Sequence, residues 1–223
     1  YKVGGIQAVA SVAYGTETIP KCHKIIGPGN AYATAAKRVL SNYIDSGLPA
    51  GPSECIILAD ENADPEKVAL DWMIEAEHGP DSAALLVTNC EELVYKAAEI
   101  VERQLEKISD KRREFVTANF NTYGGAIITE SLEESIDFVN DYAPEHMEVM
   151  TKEPFVVLPK IKNAGEILLG DYTPVTLCNF VLGPNAILPT GQFAKTYSSV
   201  SVMDFLKRSS VGYASRDGFE MVR

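Results

Sequence analysis

Apolar residues along the chain fall into two patterns, short continuous runs and longer stretches with helical spacing. A short apolar run between turn residues is typical of a buried strand, and apolar residues every three or four positions are typical of a helix. Because the two alternate, the pattern predicts βαβ units and an α/β fold whose largely parallel sheet is flanked by helices. The predicted strands are 21–26, 55–59, 83–88, 125–129, 147–150 and 165–171, and the predicted helices are 7–14, 31–40, 65–78, 91–108 and 132–142.

The residues at the ends of two helices support these assignments. Asp64 is a good capping residue and Pro65 suits a first helical turn, whereas Gly79 ends the same helix. Ser131 and Glu134 have the spacing of a capping box, which predicts where the helix that runs to about residue 142 begins.

Glu75 and His78 lie three residues apart near the end of the predicted helix 65–78, and therefore on one face of it. A carboxylate and an imidazole at this spacing can bind one metal ion. The alternative interpretation is a last-turn histidine that interacts with the carbonyl end of the helix, beside a solvated glutamate.

A second candidate site is the turn Gly27-Pro28-Gly29-Asn30, between a predicted strand and a predicted helix. Such a turn points backbone N–H groups and a helix N-terminus at an anionic group such as a dinucleotide pyrophosphate. The third glycine of the dinucleotide fingerprint is absent, so a tight turn that simply enters a helix is the alternative.

Two further stretches carry polar side chains at the ends of predicted elements. The segment 48–53 is a rigid connection that either fixes the Ser53 hydroxyl or serves as a plain linker at a domain boundary. Glu145 and His146 follow Pro144, in the predicted turn before strand 147–150. Together they can supply two proton-transfer groups, or they can be an ordinary surface pair.

The C-terminal third of the chain is less regular. The stretch 172–190 is a long loop with too many apolar residues for disorder, and long loops in compact α/β domains are usually functional. Beyond it, 198–211 resembles a strand that passes into an arm.

Composition narrows the class of protein. The formal net charge of −11 argues against nucleic acid as a partner, and no apolar run approaches the length that spans a bilayer. The sequence has no signal-peptide layout, and the scattered cysteines contain no Cys-x-x-Cys pair. We therefore expect a cytoplasmic, enzyme-like protein with reduced thiols and no membrane partner. The four cysteines are Cys22, Cys55, Cys90 and Cys178.

Taken together, the motifs resemble those of the histidinol dehydrogenase family, in order and spacing over nearly the whole chain. The resemblance implies an NAD-dependent, zinc-containing homodimer that oxidises L-histidinol to the aldehyde and then to L-histidine, using two NAD. The expected small-molecule partner is histidinol or a similar amino alcohol. The matching segments are Gly4–Ala8, Lys24–Ala31, Pro49–Glu54, Ala76–Ser82, Pro144–His146, Gly170–Asp171, Leu188–Thr190 and Asp204–Phe205.

The resemblance also implies roles for individual residues. His146 would take the alcohol proton while hydride leaves to the nicotinamide, and Glu145 would help activate water on the aldehyde. The other implied positions are Gln7 and Asn30 for NAD, Ser53, Glu75, His78, His146 and Asn179 for the substrate, and Glu75, His78 and Asn179 for zinc.

The chain departs from the family pattern at four positions. Glu75 stands where glutamine is usual, Asn179 where an aspartate ligand is usual, Val175 where glutamate is usual and Ala186 where histidine is usual. The resemblance also places the family's last zinc-binding histidine beyond Arg223. A neutral amide is a poorer zinc ligand than a carboxylate, so Asn179 weakens the implied metal site.

The resemblance divides the chain into three parts. Residues 1–52 would be the C-terminal half of a Rossmann-like NAD-binding domain, hence an incomplete cofactor domain, 53–197 the catalytic domain and 198–223 the start of a dimerisation arm. We expect a fragment or a reduced relative of the family. Besides histidinol oxidation, the sequence leaves open a dehydrogenase of another small alcohol, and a catalytically silent fragment or paralogue that acts as a binding or dimerisation module.

Overall fold

A five-stranded parallel sheet forms the centre of the molecule in the computed structural model, which describes residues 1–223. The strands lie in the order β3-β2-β1-β4-β5, and every neighbouring pair is parallel. The predicted α/β class is confirmed. The strands are Glu54–Ala59 (β1), Ala83–Thr88 (β2), Gly125–Ile128 (β3), His146–Met150 (β4) and Glu166–Leu169 (β5).

Helices pack on both faces of this sheet. One face is covered by α3, α4 and α5, and the other by α6 and α7. The helices are Gly5–Tyr14 (α1), Ala31–Val39 (α2), Pro65–Ala76 (α3), Glu91–Leu105 (α4), Asp110–Phe120 (α5), Leu132–Tyr142 (α6), Pro154–Val157 (α7), Val175–Leu177 (α8) and Arg216–Val222 (α9).

The burial of β1 on both faces explains why apolar residues occupy every position of the run 55–59 rather than alternate positions. Ile57 faces the α3 side of the sheet, whereas Ile56 and Leu58 face the α6 side, and all three are fully buried. A parallel strand covered on both faces needs apolar residues at every position. Burying each of these side chains stabilises the fold by roughly 1.5–3 kcal/mol before the entropy cost of folding.

Helix α3 begins at the predicted residue. The Asp64 carboxylate accepts a hydrogen bond of 2.9 Å from the Glu66 N–H, and Pro65 lies in the first turn. Trp72 packs into the core and donates its indole N–H to the Ala84 carbonyl at 3.0 Å. This contact fixes the helix against β2, so that the C-terminal end of α3 lies next to the start of that strand.

Helix α6 leads into β4 through a strained residue. Ser131 accepts from the Glu134 N–H at 3.2 Å, as the capping box predicts, but the Glu134 carboxylate accepts from Glu130 rather than from Ser131. The helix ends at Ala143, whose φ of 56° lies in the left-handed region that favours glycine. Pro144 follows and the chain turns directly into the sheet.

Two predicted elements are wrong. Residues 21–26 form no strand, because the only pairing there is an isolated bridge between Lys24 and Asp45. Residues 198–211 hold one 3₁₀ turn, Val202–Phe205, and no strand. The predicted helix 91–108 is present but ends at Leu105, and it is followed by a helix that was not predicted, α5.

Helices α1 and α2 pack together apart from the sheet, around a small apolar cluster. The buried members of this cluster are Val9, Ala13, Ala36, Leu40 and Ile44.

Residues 203–223 are almost entirely exposed. No helix is both long enough and apolar enough to cross a membrane.

Candidate active site

The candidate site residues meet at the amino-terminal ends of the parallel strands. The register pairs Cys55 with His146 and His146 with Glu166, so the first residues of β4 and β5 are neighbours beside the start of β1. Ligands of open α/β sheets usually bind at the opposite edge, at the carboxyl ends of the strands. In this protein the glutamate and histidine side chains of the candidate site lie instead at the amino-terminal edge of the sheet.

The end of helix α3 brings Glu75 and His78 to this edge. The His78 Nε2 atom lies 3.9 Å from Glu75 Oε1, and the Ser53 Oγ atom lies 3.5 Å from His78 Nδ1. Glu75 is buried, whereas half of the His78 side chain is exposed. The structure therefore brings the two predicted residues together, with the Glu75 side chain in the interior and the His78 side chain half exposed.

Glu75 fits a metal ion better than the alternative of a solvated side chain. Neither carboxylate oxygen of Glu75 has a hydrogen-bond partner, and the Oδ1 atom of Asn179 has none either. A buried carboxylate without a partner is costly, and a bound cation removes that cost. His78 and Asn179 line one cavity of about 520 Å³, although no group of three or more His, Cys, Asp or Glu side chains suited to a metal is present.

Glu145 carries a buried carboxyl group and is the residue immediately before β4. Its Oε2 accepts a hydrogen bond of 3.0 Å from the Glu54 N–H. Burial raises the pKa of Glu145 to about 7, although the charge of His146 and the hydrogen bond from Glu54 lower it. A carboxyl group with this pKa exchanges protons near neutral pH, as general acid and base catalysis requires.

His146 is buried beside a carboxylate that the sequence motifs do not mark. Its Nδ1 atom lies 2.9 Å from Glu166 Oε2. Burial lowers the pKa of His146, but the hydrogen bond to Glu166 and the charges of Glu75 and Glu145 outweigh it, so the pKa is raised above its ordinary value. The signal that could have found Glu166 is the parallel register, because the first residues of β4 and β5 must be neighbours.

Of the two residues predicted to contact NAD, one lines a cleft at the candidate site and the other does not. Asn30 shares a cleft of about 330 Å³ with Ser53 and His78, and its side chain accepts from the Ala33 N–H at 3.0 Å as the cap of α2. Gln7 is an exposed residue of α1 that does not line this cleft. The structure therefore brings Asn30, but not Gln7, to the candidate site.

The departures from the family pattern have distinct surroundings. Val175 is fully buried, and its backbone N–H donates a hydrogen bond of 2.9 Å to Glu148 Oε1. Its side chain has no polar atom that could contact a ligand. Ala186 is exposed. Cys178 is buried and donates its thiol to Glu166, in a π-helical turn that also places Asn179.

The fold and the site define a parallel α/β protein with a buried glutamate–histidine pair, Glu145 and His146, beside a candidate metal-ligand pair. A family model described as histidinol dehydrogenase matches residues 1–223, so the chain belongs to the histidinol dehydrogenase family. The family predicted from the sequence motifs is confirmed.

Individual relatives agree with this assignment. The chain is 54% identical over 223 residues to the histidinol dehydrogenase of Synechocystis sp., covering 100% of this chain and 51% of the relative. It is 50% identical to a Colwellia psychrerythraea protein named histidinol dehydrogenase homolog, covering 99% of this chain and 50% of that one. The crystal structure of histidinol dehydrogenase from Elizabethkingia anophelis matches with a TM-score of 0.91 and 37% identity, over 100% of this chain and 51% of that chain. The chain spans about half the length of the curated relatives it matches.

Proposed function

We propose that this chain carries the catalytic centre of an NAD-dependent dehydrogenase that oxidises L-histidinol through the aldehyde to L-histidine, in histidine biosynthesis. The observation that carries the proposal is the buried Glu145–His146 pair, placed at the same sheet edge as Glu75 and His78. Oxidation of an alcohol to an acid needs two hydride losses and two proton acceptors. The pair supplies a distinct group for each step.

His146 and Glu145 divide the proton transfers in this mechanism. His146 takes the hydroxyl proton of the alcohol as the hydride departs, because its raised pKa makes it a stronger base than an ordinary imidazole. Glu145 takes a proton from the water that adds to the aldehyde, since its pKa of about 7 leaves much of it ionised at neutral pH. Both groups are buried, so bulk water does not compete for these protons.

Zinc and NAD would be held on either side of His78, which lines both of the cavities described above. Glu75 and His78 would bind zinc, with Asn179 as a weaker neutral ligand, while Asn30 would lie against NAD at the start of α2 and Ser53 against the substrate. Gln7 would need to approach from α1. When bound, zinc supplies a Lewis acid that orients the substrate and NAD supplies the hydride acceptor. The corresponding partners are a small-molecule substrate and a second copy of the chain, in the cytoplasm.

A second candidate function is oxidation of another small alcohol. It is favoured by Val175 and Ala186, because neither side chain can hydrogen-bond the polar groups of histidinol. A site that loses such polar contacts changes its discrimination between substrates strongly. The proton-accepting roles of Glu145 and His146 are the same for either alcohol.

The test is NADH formation by the zinc-loaded full chain with L-histidinol, compared with small primary alcohols. We expect His146→Asn to lower kcat by about 10²–10⁴-fold, since it removes the base. His23→Asn is the matched control, because His23 is exposed and outside the site, and should leave the rate unchanged. Turnover of another alcohol in place of histidinol supports the second function. No NADH with any alcohol contradicts both and supports a silent module.

A further inference from the structure

A continuous chain of hydrogen bonds connects Cys178, Glu166 and His146 in the interior. The Cys178 thiol donates to Glu166 Oε1, and Glu166 Oε2 lies 2.9 Å from His146 Nδ1. The side chains of His146 and Glu166 are 6% and 5% exposed, respectively. Each carboxylate oxygen of Glu166 therefore has a hydrogen-bond partner, and the carboxylate is shielded from water.

We propose that Glu166 is a positioning residue that holds the proton of neutral His146 on Nδ1 and leaves Nε2 as the atom that accepts the substrate proton. This inference rests on the proposed function, because it gives the base of that reaction its orientation and tautomer. Glu166 itself does not touch the substrate. It acts through His146.

The tautomer follows from hydrogen-bond chemistry. An ionised carboxylate has only acceptor sites, so the ring nitrogen that faces it must carry a hydrogen. With Nδ1 as the donor, Nε2 of the neutral ring has a free lone pair. Two donors, His146 and Cys178, favour the ionised form of Glu166 and lower its pKa despite its burial, which raises it.

The backbone fixes the geometry of the two partners. His146 and Glu166 are register partners in adjacent parallel strands, and the Glu166 N–H donates to the Glu145 carbonyl at 2.9 Å. The Cys178 thiol restrains the carboxylate from the other side. The imidazole therefore cannot turn over without breaking a buried charge-assisted hydrogen bond.

The orientation matters because a base with the wrong tautomer presents an N–H to the substrate hydroxyl. A flipped or mixed population would lower the fraction of molecules ready to accept the proton, and so would lower kcat more than it changes KM. The partner that orients a metal-bound histidine through its second nitrogen changes metal affinity or activity by about 10–100-fold when it is removed, and we expect Glu166→Ala to lower kcat by a similar factor.

The test is the ¹⁵N NMR spectrum of histidine-labelled full chain, recorded at a pH where His146 is neutral. The chain has only three histidines, so His23→Asn and His78→Asn variants assign the signals. We expect His146 to show the Nδ1–H tautomer, and Glu166→Ala to convert it to a mixture or to Nε2–H. Glu166→Asp keeps a carboxylate and should restore part of the wild-type signal. Cys178→Ser keeps a donor and should retain the tautomer.

An Nε2–H tautomer in the wild type, or an unchanged tautomer in Glu166→Ala, would overturn the proposal. If Glu166→Ala does not fold, Glu166→Gln serves as the replacement, and its neutral amide should yield a mixed tautomer. Measurements of kcat then distinguish the positioning role of Glu166 from the proposed function of the chain. A changed tautomer with unchanged kcat overturns the positioning role, whereas the expected tautomer in a protein that oxidises no alcohol contradicts the proposed function only.

Discussion

The backbone N–H of Glu54 donates a hydrogen bond of 3.0 Å to the Oε2 atom of Glu145, and so joins the start of β1 to the residue before β4. This bond holds a buried carboxyl group at one place on the sheet edge. It also lowers the pKa of Glu145, against the larger effect of burial that raises it to about 7. The balance leaves Glu145 able to release and take up protons near neutral pH.

Aldehyde oxidation should therefore depend on the ionisation of Glu145. The rate of this step should rise as the pH rises through about 7, since the carboxylate is the form that accepts a proton from water. Glu145→Gln should lower the rate by about 10²–10³-fold and remove this rise. Stopped-flow NADH formation from the aldehyde measures both. Glu99→Gln, at an exposed glutamate of α4, is the control, and a Glu145→Gln profile that still rises like the wild type would contradict the assignment.

The buried acids Asp71 and Glu148 should make the protein less stable as the pH rises. Burial raises the pKa of Asp71 to about 6, and burial together with the Asp71 charge raises the pKa of Glu148 well above its ordinary value. Folded pKa values above the unfolded ones mean that the folded state binds more protons. The resulting loss of unfolding free energy is absent below about pH 4. It grows as the pH rises through the folded pKa values and reaches a value on the order of 2 kcal/mol.

Urea unfolding between pH 5 and about 8 checks this dependence. Glu148→Gln should reduce the slope, because it removes one of the two coupled acids while an amide oxygen can still accept from the Val175 N–H. Glu99→Gln should keep the wild-type slope, since Glu99 is exposed. Stability that increases over this pH range in the wild type, or a Glu148→Gln slope equal to the wild-type slope, would refute the prediction.

Zinc should bind through Glu75 and His78. Titration calorimetry of metal-stripped protein should show stoichiometric binding, and His78→Ala should abolish it at concentrations that saturate the wild type. Metal removal should also lower the Tm, because it leaves the buried Glu75 carboxylate without a partner. His23→Ala is the control and should bind like the wild type. Equal binding by the His78→Ala protein would show that zinc sits elsewhere.

Gly165 should tolerate no larger residue, because the backbone of Glu145 passes close to it. A Cβ at Gly165 would lie 2.6 Å from the Glu145 carbonyl oxygen and 3.1 Å from the Leu188 Cβ. Gly165→Ala should destabilise the fold by roughly 1–3 kcal/mol and lower activity by displacing Glu145. Gly212→Ala is a matched control, since nothing lies within 4 Å of its Cβ position. Thermal unfolding and the rate assay measure both effects, and equal behaviour of the two variants would contradict the packing argument.

The sheet could be predicted because its strands carry strong local signals. Strands β1 and β2 are continuous apolar runs, and helix α3 between them has a cap at Asp64 and is followed by Gly79. The predicted strand 21–26 was wrong for a non-local reason. A strand needs a partner along its length, and Lys24 finds only the single bridge to Asp45.

The site could be predicted only in part. The Glu75–His78 pair follows from helical spacing, since both residues lie within one turn of α3 and the segment after it. Glu166 could not be found in this way, because it lies 20 residues from His146 and meets it only through the pairing of β4 with β5. The role of Gln7 stays a prediction, as do the boundaries of the three predicted parts of the chain.

The most direct test of the central claim is the amount of NADH formed at the end point when zinc-loaded full chain consumes a known, limiting amount of L-histidinol in excess NAD. We expect two NADH for each histidinol and L-histidine as the product, with both yields lost in a His146→Asn, Glu145→Gln double variant. No NADH from histidinol, or one NADH with the aldehyde accumulating, would contradict it.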